Sequence, residues 1–198
     1  MVKLVKGLTM DSYIEITVLP DLEADANFLM NNLCSKLHAV LGQVTMGKVG
    51  VSFPGYALAG KNLGTKLRIH GTAFMLEKLM AENWIKGLRD YCQCSAILPI
   101  PTRVQQRYFA RRQVKSAHNK RLRSISKGWL TQDEALDKIS DESQKLLKLP
   151  FLQLTSRGNK QQMKVFVEQG PVMDLPTEGN FNSYGLSRLS EKVTVPWF

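Results

Sequence analysis

From Tyr13 to Leu19 apolar and polar residues alternate, with Ile14, Ile16 and Val18 on one face, the period of two expected of a half-buried strand. The period then lengthens. Leu33, Leu37, Val40 and Leu41 recur at helical spacing, predicting a helix over Asn27–Leu41 with Gly42 as its stop. Lys48–Phe53 reads as a short strand closed by Pro54, and Thr65–His70 alternates again with Leu67 and Ile69 inward. A second helix is predicted from about Thr72 to Met80, a further turn over Trp84–Leu88, and a fourth strand over Cys94–Leu98.

This order, β-α-β-β-α-β, is that of the split, ferredoxin-like motif. Pro99-Ile-Pro101 interrupts regular structure. The expected class is therefore α+β. A ferredoxin-like (RRM-like) domain is expected over residues 10–98. A linker over 99–103 leads to a C-terminal α+β domain over 104–198 that carries a basic helix. In that second half Ser116 is a candidate N-cap and Gly128 a stop. Between them Leu122, Ile125 and Trp129 fall on one side, with Lys120, Arg123 and Lys127 opposite and Arg121 at the flank. The helix is expected to pack by its apolar side and turn a cationic ridge outward. Thr131-x-x-Glu134 is a capping box for the next helix. Phe151–Thr155 and Met163–Val167 read as a strand pair, and residues 181–198 as a loop-rich tail.

Charge sharpens the picture. The chain has 198 residues and a formal net charge of +10. Nine cations and no acid lie between residues 101 and 130, while the segments on either side are close to neutral. A solvated face ordinarily mixes both signs, so an unbalanced cluster is the footprint of a polyanion binder, with an anionic membrane surface as the main rival and a nonspecific basic surface as the bland alternative. No apolar run reaches the roughly 20 residues of a membrane span, and the start lacks the apolar stretch of a secretory signal. Three cysteines, Cys34, Cys92 and Cys94, form no disulfide framework and suit a reducing, cytoplasmic setting.

Candidate chemistry is sparse. Gly55-x-x-x-x-Gly60-Lys61 approximates a phosphate loop, but Asn62 cannot supply the metal-binding hydroxyl and Gly64 opposes the helix such a loop needs. Cys92-x-Cys94 has the wrong spacing for zinc, and Cys34 with His38 gives only two potential ligands, Cys34 being better suited to filling a core gap. No acidic cluster suggests a two-metal nuclease, so no metal and no cofactor are expected. His70 reads as structural, and His118 lies in the basic segment. By position His38 suits a partly buried structural role, yet it also stands where a general base could be held. Metal-free RNA cleavage needs little more than a base, because the ribose 2′-hydroxyl is the nucleophile.

Several short strings occur in a telling order: Ser35-Lys-Leu-His38-Ala-Val-Leu, Val49-Gly-Val-Ser-Phe-Pro54, Leu67-Arg-Ile-His70, Gly87-Leu-Arg-Asp90, Leu149-Pro-Phe151, Phe181-Asn-Ser-Tyr184-Gly-Leu-Ser187 and Pro196-Trp-Phe198. Together they resemble the type I-F CRISPR-associated repeat-cleaving endoribonucleases over nearly the whole chain from Met10. Met10-Asp-Ser-Tyr13 itself resembles the usual start of that family, so the resemblance implies an N-terminal extension over residues 1–9.

The resemblance implies a metal-independent enzyme that binds the repeat hairpin of CRISPR precursor RNA through the major groove of its stem. Such an enzyme cuts at the 3′ base of the stem, leaves a 2′,3′-cyclic phosphate, and stays on the mature crRNA as a subunit of the type I-F surveillance complex. It implies His38 as general base, Ser156 as the ribose-holding serine, and Tyr184 as the residue that orients the histidine. Arg111 and Gln113, followed by Lys115 and Ser116, match the linker residues that read bases near the foot of the stem. Lys120, Arg121, Arg123 and Lys127 stand in place of a denser arginine run, favouring phosphate contacts over bidentate base readout. The alternative from another class is a noncatalytic hairpin-binding subunit of a CRISPR effector or transposon-associated complex. No membrane partner is expected.

Overall fold

The structure, a computed structural model, describes residues 10–113, 117–140, 147–155 and 162–198. Two compact units emerge. One holds the chain up to Arg111 together with Leu149–Phe198; the other is Arg112–Lys148.

The first unit opens with β1 (Ser12–Val18), whose alternating burial matches its sequence pattern. Helix α1 (Ala26–Thr45) begins at Asp25, whose carboxylate accepts from the Phe28 N–H. The expected stop at Gly42 is not where α1 ends. Val44 and Thr45 are buried, so the helix continues until Met46 and Gly47 take positive φ angles of 48° and 78°. Strands β2 (Gly50–Ser52) and β3 (Lys66–Gly71) follow, then α2 (Ala73–Ala81), capped by the Thr72 hydroxyl.

The expected strand over Cys94–Leu98 is shifted and divided. It comprises β4 (Cys92–Cys94) and β5 (Leu98–Pro99), and both pair with β1. Between them the Ser95 hydroxyl accepts from Glu15 N–H and donates to the Ala96 carbonyl, which interrupts the ladder. The sheet runs β2-β3-β1-β4, with every neighbouring pair antiparallel. Ile14 lies opposite Ile69 and Ile16 opposite Leu67, all fully buried.

Other strands are ones that the sequence did not announce. These are β6 (Gln105–Arg107), β7 (Phe109–Arg112), and, in the supposed loop-rich tail, β10 (Ser187–Arg188) and β11 (Val195–Trp197). The expected pair appears as β8 (Phe151–Thr155) and β9 (Gln162–Gln169). A four-stranded sheet runs β10-β7-β9-β8, and β11 pairs with β6. Part of the basic segment is therefore strand, and Arg107, Arg111 and Arg112 lie on it.

The P-loop-like string leads into no helix and is instead a turn, closed by two hydrogen bonds between Ala57 and Asn62. His70 is structural. It is fully buried against the Ser52 hydroxyl at 2.9 Å, and burial together with the nearby Arg68 charge pushes its pKa down to about 3.

In the second unit α3 (Ala117–Ser126) ends as read, with Gly128 at φ 68° and its N–H on the Ile125 carbonyl. Helix α4 (Gln132–Lys138) carries the capping box between Thr131 and Glu134. The expected packing side of α3 is not buried. Leu122, Ile125 and Trp129 are 52, 38 and 65% exposed. Ala117 is buried instead, with Lys120, Arg121 and Ser124 half-buried on the same side, and Arg121 donates to the Ile139 carbonyl beyond α4. Among the described residues no helix is long and apolar enough to cross a membrane.

Candidate active site

Helix α1 aims His38 away from its buried stripe, leaving the ring partly exposed. Three features fix that ring. Its Nδ1 lies 2.8 Å from the Ser183 carbonyl oxygen. Its plane stacks on Tyr184, with ring centroids 4.0 Å apart and only 12° between planes. One turn later on the same face, Gly42 leaves room for the Ser183 backbone, since a Cβ there would stand 3.3 Å from the Ser183 Cβ.

The carbonyl decides the tautomer. It can only accept, so in the neutral ring Nδ1 carries the proton and Nε2 keeps its lone pair. That is the form of imidazole able to take a proton from a substrate.

Ser183 and Tyr184 belong to a loop that is anchored at both ends. Phe181 is buried, its N–H donates to the Gly47 carbonyl, and a Cβ on Gly50 would strike its ring. At the other end the Gly185 carbonyl accepts from Val51 N–H in β2. Gly185 needs its left-handed φ of 71°, and a Cβ there would lie 2.7 Å from the Val51 side chain. The loop is thus threaded between the end of α1 and the start of β2, where only glycines permit the approach.

Arg111, on β7, completes the cluster. Its guanidinium carbon lies 5.0 Å from the centre of the Tyr184 ring, a cation–π distance. Its Nε is buried without a hydrogen-bond partner among the described residues. Helix α1 also touches the strand that leads towards Ser156, because the Asn31 side-chain carbonyl accepts from Gln153 N–H on β8.

His38, Tyr184 and Arg111 are therefore brought together. Gln113 is exposed beyond β7 and is not part of this cluster. Lys115, Ser116 and Ser156 lie outside the described residues. Lys120, Arg121, Arg123 and Lys127 lie on or just after α3 in the second unit, with Arg123 and Lys127 exposed and Lys120 and Arg121 half-buried. Sequence reasoning missed the Ser183 carbonyl and the supporting loop, although Asn182-Ser-Tyr-Gly185 has turn composition. Cys34, the other candidate ligand near His38, is buried with its sulfur 3.9 Å from that of Met30, and burial pushes its thiol up to about 12. It fills the core. Among the described residues no group of three or more His, Cys, Asp or Glu side chains gathers as a metal site would.

Comparison with known proteins shows the family. The family model described as CRISPR-associated protein (Cas_Csy4) matches residues 13–198. A protein of Escherichia coli strain UTI89 named CRISPR-associated endonuclease Cas6/Csy4 is 43% identical over 190 residues, covering 96% of this chain and all of that relative. A protein of the same name from Pseudomonas aeruginosa strain UCBPP-PA14 is 38% identical over 192 residues, again covering 96% of this chain and all of the relative. A match of this extent, including the segments that build the histidine–tyrosine stack, places the chain in the Cas_Csy4 family of CRISPR-associated proteins.

Proposed function

We propose that this protein is an endoribonuclease that binds the stem-loop of CRISPR repeats in precursor RNA and cuts at the 3′ base of the stem. The observation that carries the reading is the placement of His38: Nδ1 faces the Ser183 carbonyl, the ring is held flat on Tyr184, and Nε2 has no partner among the described residues. Membership of a family whose relatives are named CRISPR-associated endonucleases supports the class of reaction.

In this mechanism His38 Nε2 takes the proton of the ribose 2′-hydroxyl. The freed oxygen attacks the adjacent phosphorus in line, and the bond from phosphorus to the 5′-oxygen of the next nucleotide breaks. The leaving oxygen takes up a proton, giving a 2′,3′-cyclic phosphate and a 5′-hydroxyl. Because the substrate supplies the nucleophile, no metal is needed to generate one. Tyr184 keeps the imidazole in plane. Ser156, directly after β8, is assigned to hold the ribose at the cut. Arg111, beside the Tyr184 ring, reads bases near the foot of the stem.

The basic segment supplies affinity. Lys120, Arg121, Arg123 and Lys127 neutralise stem phosphates, with Gln113, Lys115 and Ser116 near the foot of the stem. The major groove of A-form RNA is too deep and narrow for side chains along a continuous helix. A short stem, open at its end and loop, relaxes that limit. After cleavage the protein stays on the mature crRNA as a subunit of a type I-F surveillance complex.

The test is cleavage of a cognate repeat hairpin in EDTA by the parent protein and by His38→Ala. The parent should cut fully in chelator. The variant should lose about a hundredfold or more in rate, the usual share of a general base, while hairpin affinity stays within a fewfold. Loss of parental activity in EDTA, or an undiminished rate in His38→Ala, overturns the reading.

A further inference from the structure

The loop that presents the Ser183 carbonyl is organised by one side chain. Asn182 Oδ1 accepts from Tyr184 N–H at 2.9 Å and from Leu186 N–H at 3.2 Å. Its backbone closes the same turn, the N–H donating to the Leu186 carbonyl and the carbonyl accepting from Gly185 N–H, both at 2.9 Å. All four bonds tie residues 184–186 back to Asn182, so Ser183 stands at the tip of a small, fully stitched turn. Its own side chain is exposed and its carbonyl points at His38.

Among the described residues no carboxylate bonds to His38; a main-chain carbonyl sets its proton. A main-chain carbonyl has no side-chain torsion of its own, so its direction is the direction of the turn. We infer that Asn182 is a positioning residue for the cleavage reaction: by gathering the Tyr184 and Leu186 amides on one oxygen, it aims the Ser183 carbonyl at His38 Nδ1 and thereby fixes the tautomer that leaves Nε2 basic. The inference rests on the reading of His38 as the base, and it adds the residue that keeps that base in its working form.

The chemistry distinguishes this role from simple support of the fold. Removing Oδ1 strands two N–H donors. Tyr184 is only half-buried, next to exposed Ser183, but Leu186 is fully buried and its amide cannot turn to water. The turn must rearrange to satisfy the Leu186 amide, and the carbonyl of Ser183 moves with it. His38 then loses its acceptor and is free to populate the other neutral tautomer, in which Nε2 carries the proton and cannot act as a base.

The experiment compares the parent with Asn182→Ala and Asn182→Asp, since aspartate keeps an acceptor oxygen in the same place. The His38 tautomer is read by long-range proton–nitrogen NMR correlations at about pH 8, above the ordinary imidazole range. Single-turnover cleavage and affinity for the repeat hairpin are measured on the same preparations. The parent and Asn182→Asp should show a protonated Nδ1 and an unprotonated Nε2. Asn182→Ala should show a mixture of tautomers and cut about tenfold more slowly, within the range a general base contributes, with hairpin affinity held within twofold. Should Asn182→Ala fail to fold, Asn182→Ser, whose hydroxyl is too short to reach both amides, is read in its place with the same expectation.

A single Nδ1–H tautomer in a folded alanine or serine variant overturns the assignment, as does failure of aspartate to restore that tautomer. The outcome is separable from that of the base itself. If His38→Ala cuts at the parental rate, the cleavage mechanism falls, whereas the tautomer spectra still decide what Asn182 does to the ring.

Discussion

Two imidazoles in one unit show how surroundings divide labour. His70 is sealed in the core against the Ser52 hydroxyl, while His38 sits at the surface with one nitrogen committed and the other open. His70 can only be a liability in acid. Its folded pKa, about 3, lies below the ordinary 6.5, so between those values the unfolded chain binds more protons than the folded one. Stability is complete above that window and falls as pH drops through it, approaching about 1.4 kcal/mol per pH unit for one proton. Denaturant midpoints between about pH 7 and pH 5 should fall for the parent and fall distinctly less for His70→Gln. Equal slopes would place the acid sensitivity elsewhere. Glu15 acts lower on the scale. Burial alone would raise its pKa, but hydrogen bonds and charge from Lys66 and Arg68 outweigh that and lower it. Its contribution is therefore lost only below the ordinary carboxylate range, outside the His70 test. The difference between the two histidines was partly legible beforehand. His70 ends an inward-alternating strand, while His38 lies one residue off the apolar stripe of its helix. What the stripe could not show is the Ser183 carbonyl, a main-chain atom 145 residues away with no signature in residue type.

Among the elements, α1 carries the site. Its buried stripe seats it on the sheet, Asn31 holds β8, and His38 and Gly42 share the face that meets the Ser183 loop. Gly42 reads as a helix stop from sequence because glycine commonly ends helices. Here it lies inside the helix for the space it leaves. Glycine within a helix costs up to about 1 kcal/mol relative to alanine, so Gly42→Ala should leave the melting temperature unchanged or raise it. The added methyl would stand 3.3 Å from the Ser183 Cβ and push the loop by a few tenths of an ångström. Single-turnover cleavage should therefore fall severalfold while stability does not. A rate equal to the parent's would mean the loop tolerates the shift. Gly128 behaves oppositely. With φ at 68° and open space around it, Gly128→Ala should cost about 1 kcal/mol through backbone strain alone, read as faster amide exchange in α3. The end of α3 was legible because a left-handed glycine is a local signal. The packing side of α3 was not, because periodicity finds an apolar stripe without telling whether it is covered: Leu122, Ile125 and Trp129 are exposed while Ala117 is buried. Strands β6, β7, β10 and β11 escaped for a similar reason. They are two to four residues long, and their pairing partners lie far away in sequence.

At the scale of the whole molecule, catalysis and charge are assigned to different units: His38 and Tyr184 in one, the α3 cations in the other. The separation makes binding and cleavage independently measurable. Hairpin affinity should weaken steeply with salt, because each phosphate neutralised releases counterions. Replacing Lys120, Arg123 and Lys127 together by alanine should reduce the slope of log affinity against log salt by about two to three. An unchanged slope would move the RNA surface away from α3.

The most direct test of the central claim replaces single riboses of the repeat hairpin by 2′-deoxyribose and maps the products of the parent protein. Removing the 2′-hydroxyl at the nucleotide before the cut should abolish cleavage there without weakening binding. The same change at neighbouring stem nucleotides should leave the rate unchanged, and the all-ribose substrate should yield a 2′,3′-cyclic phosphate. Undiminished cutting of the substrate that lacks that hydroxyl, or a product with a 5′-phosphate, would contradict it.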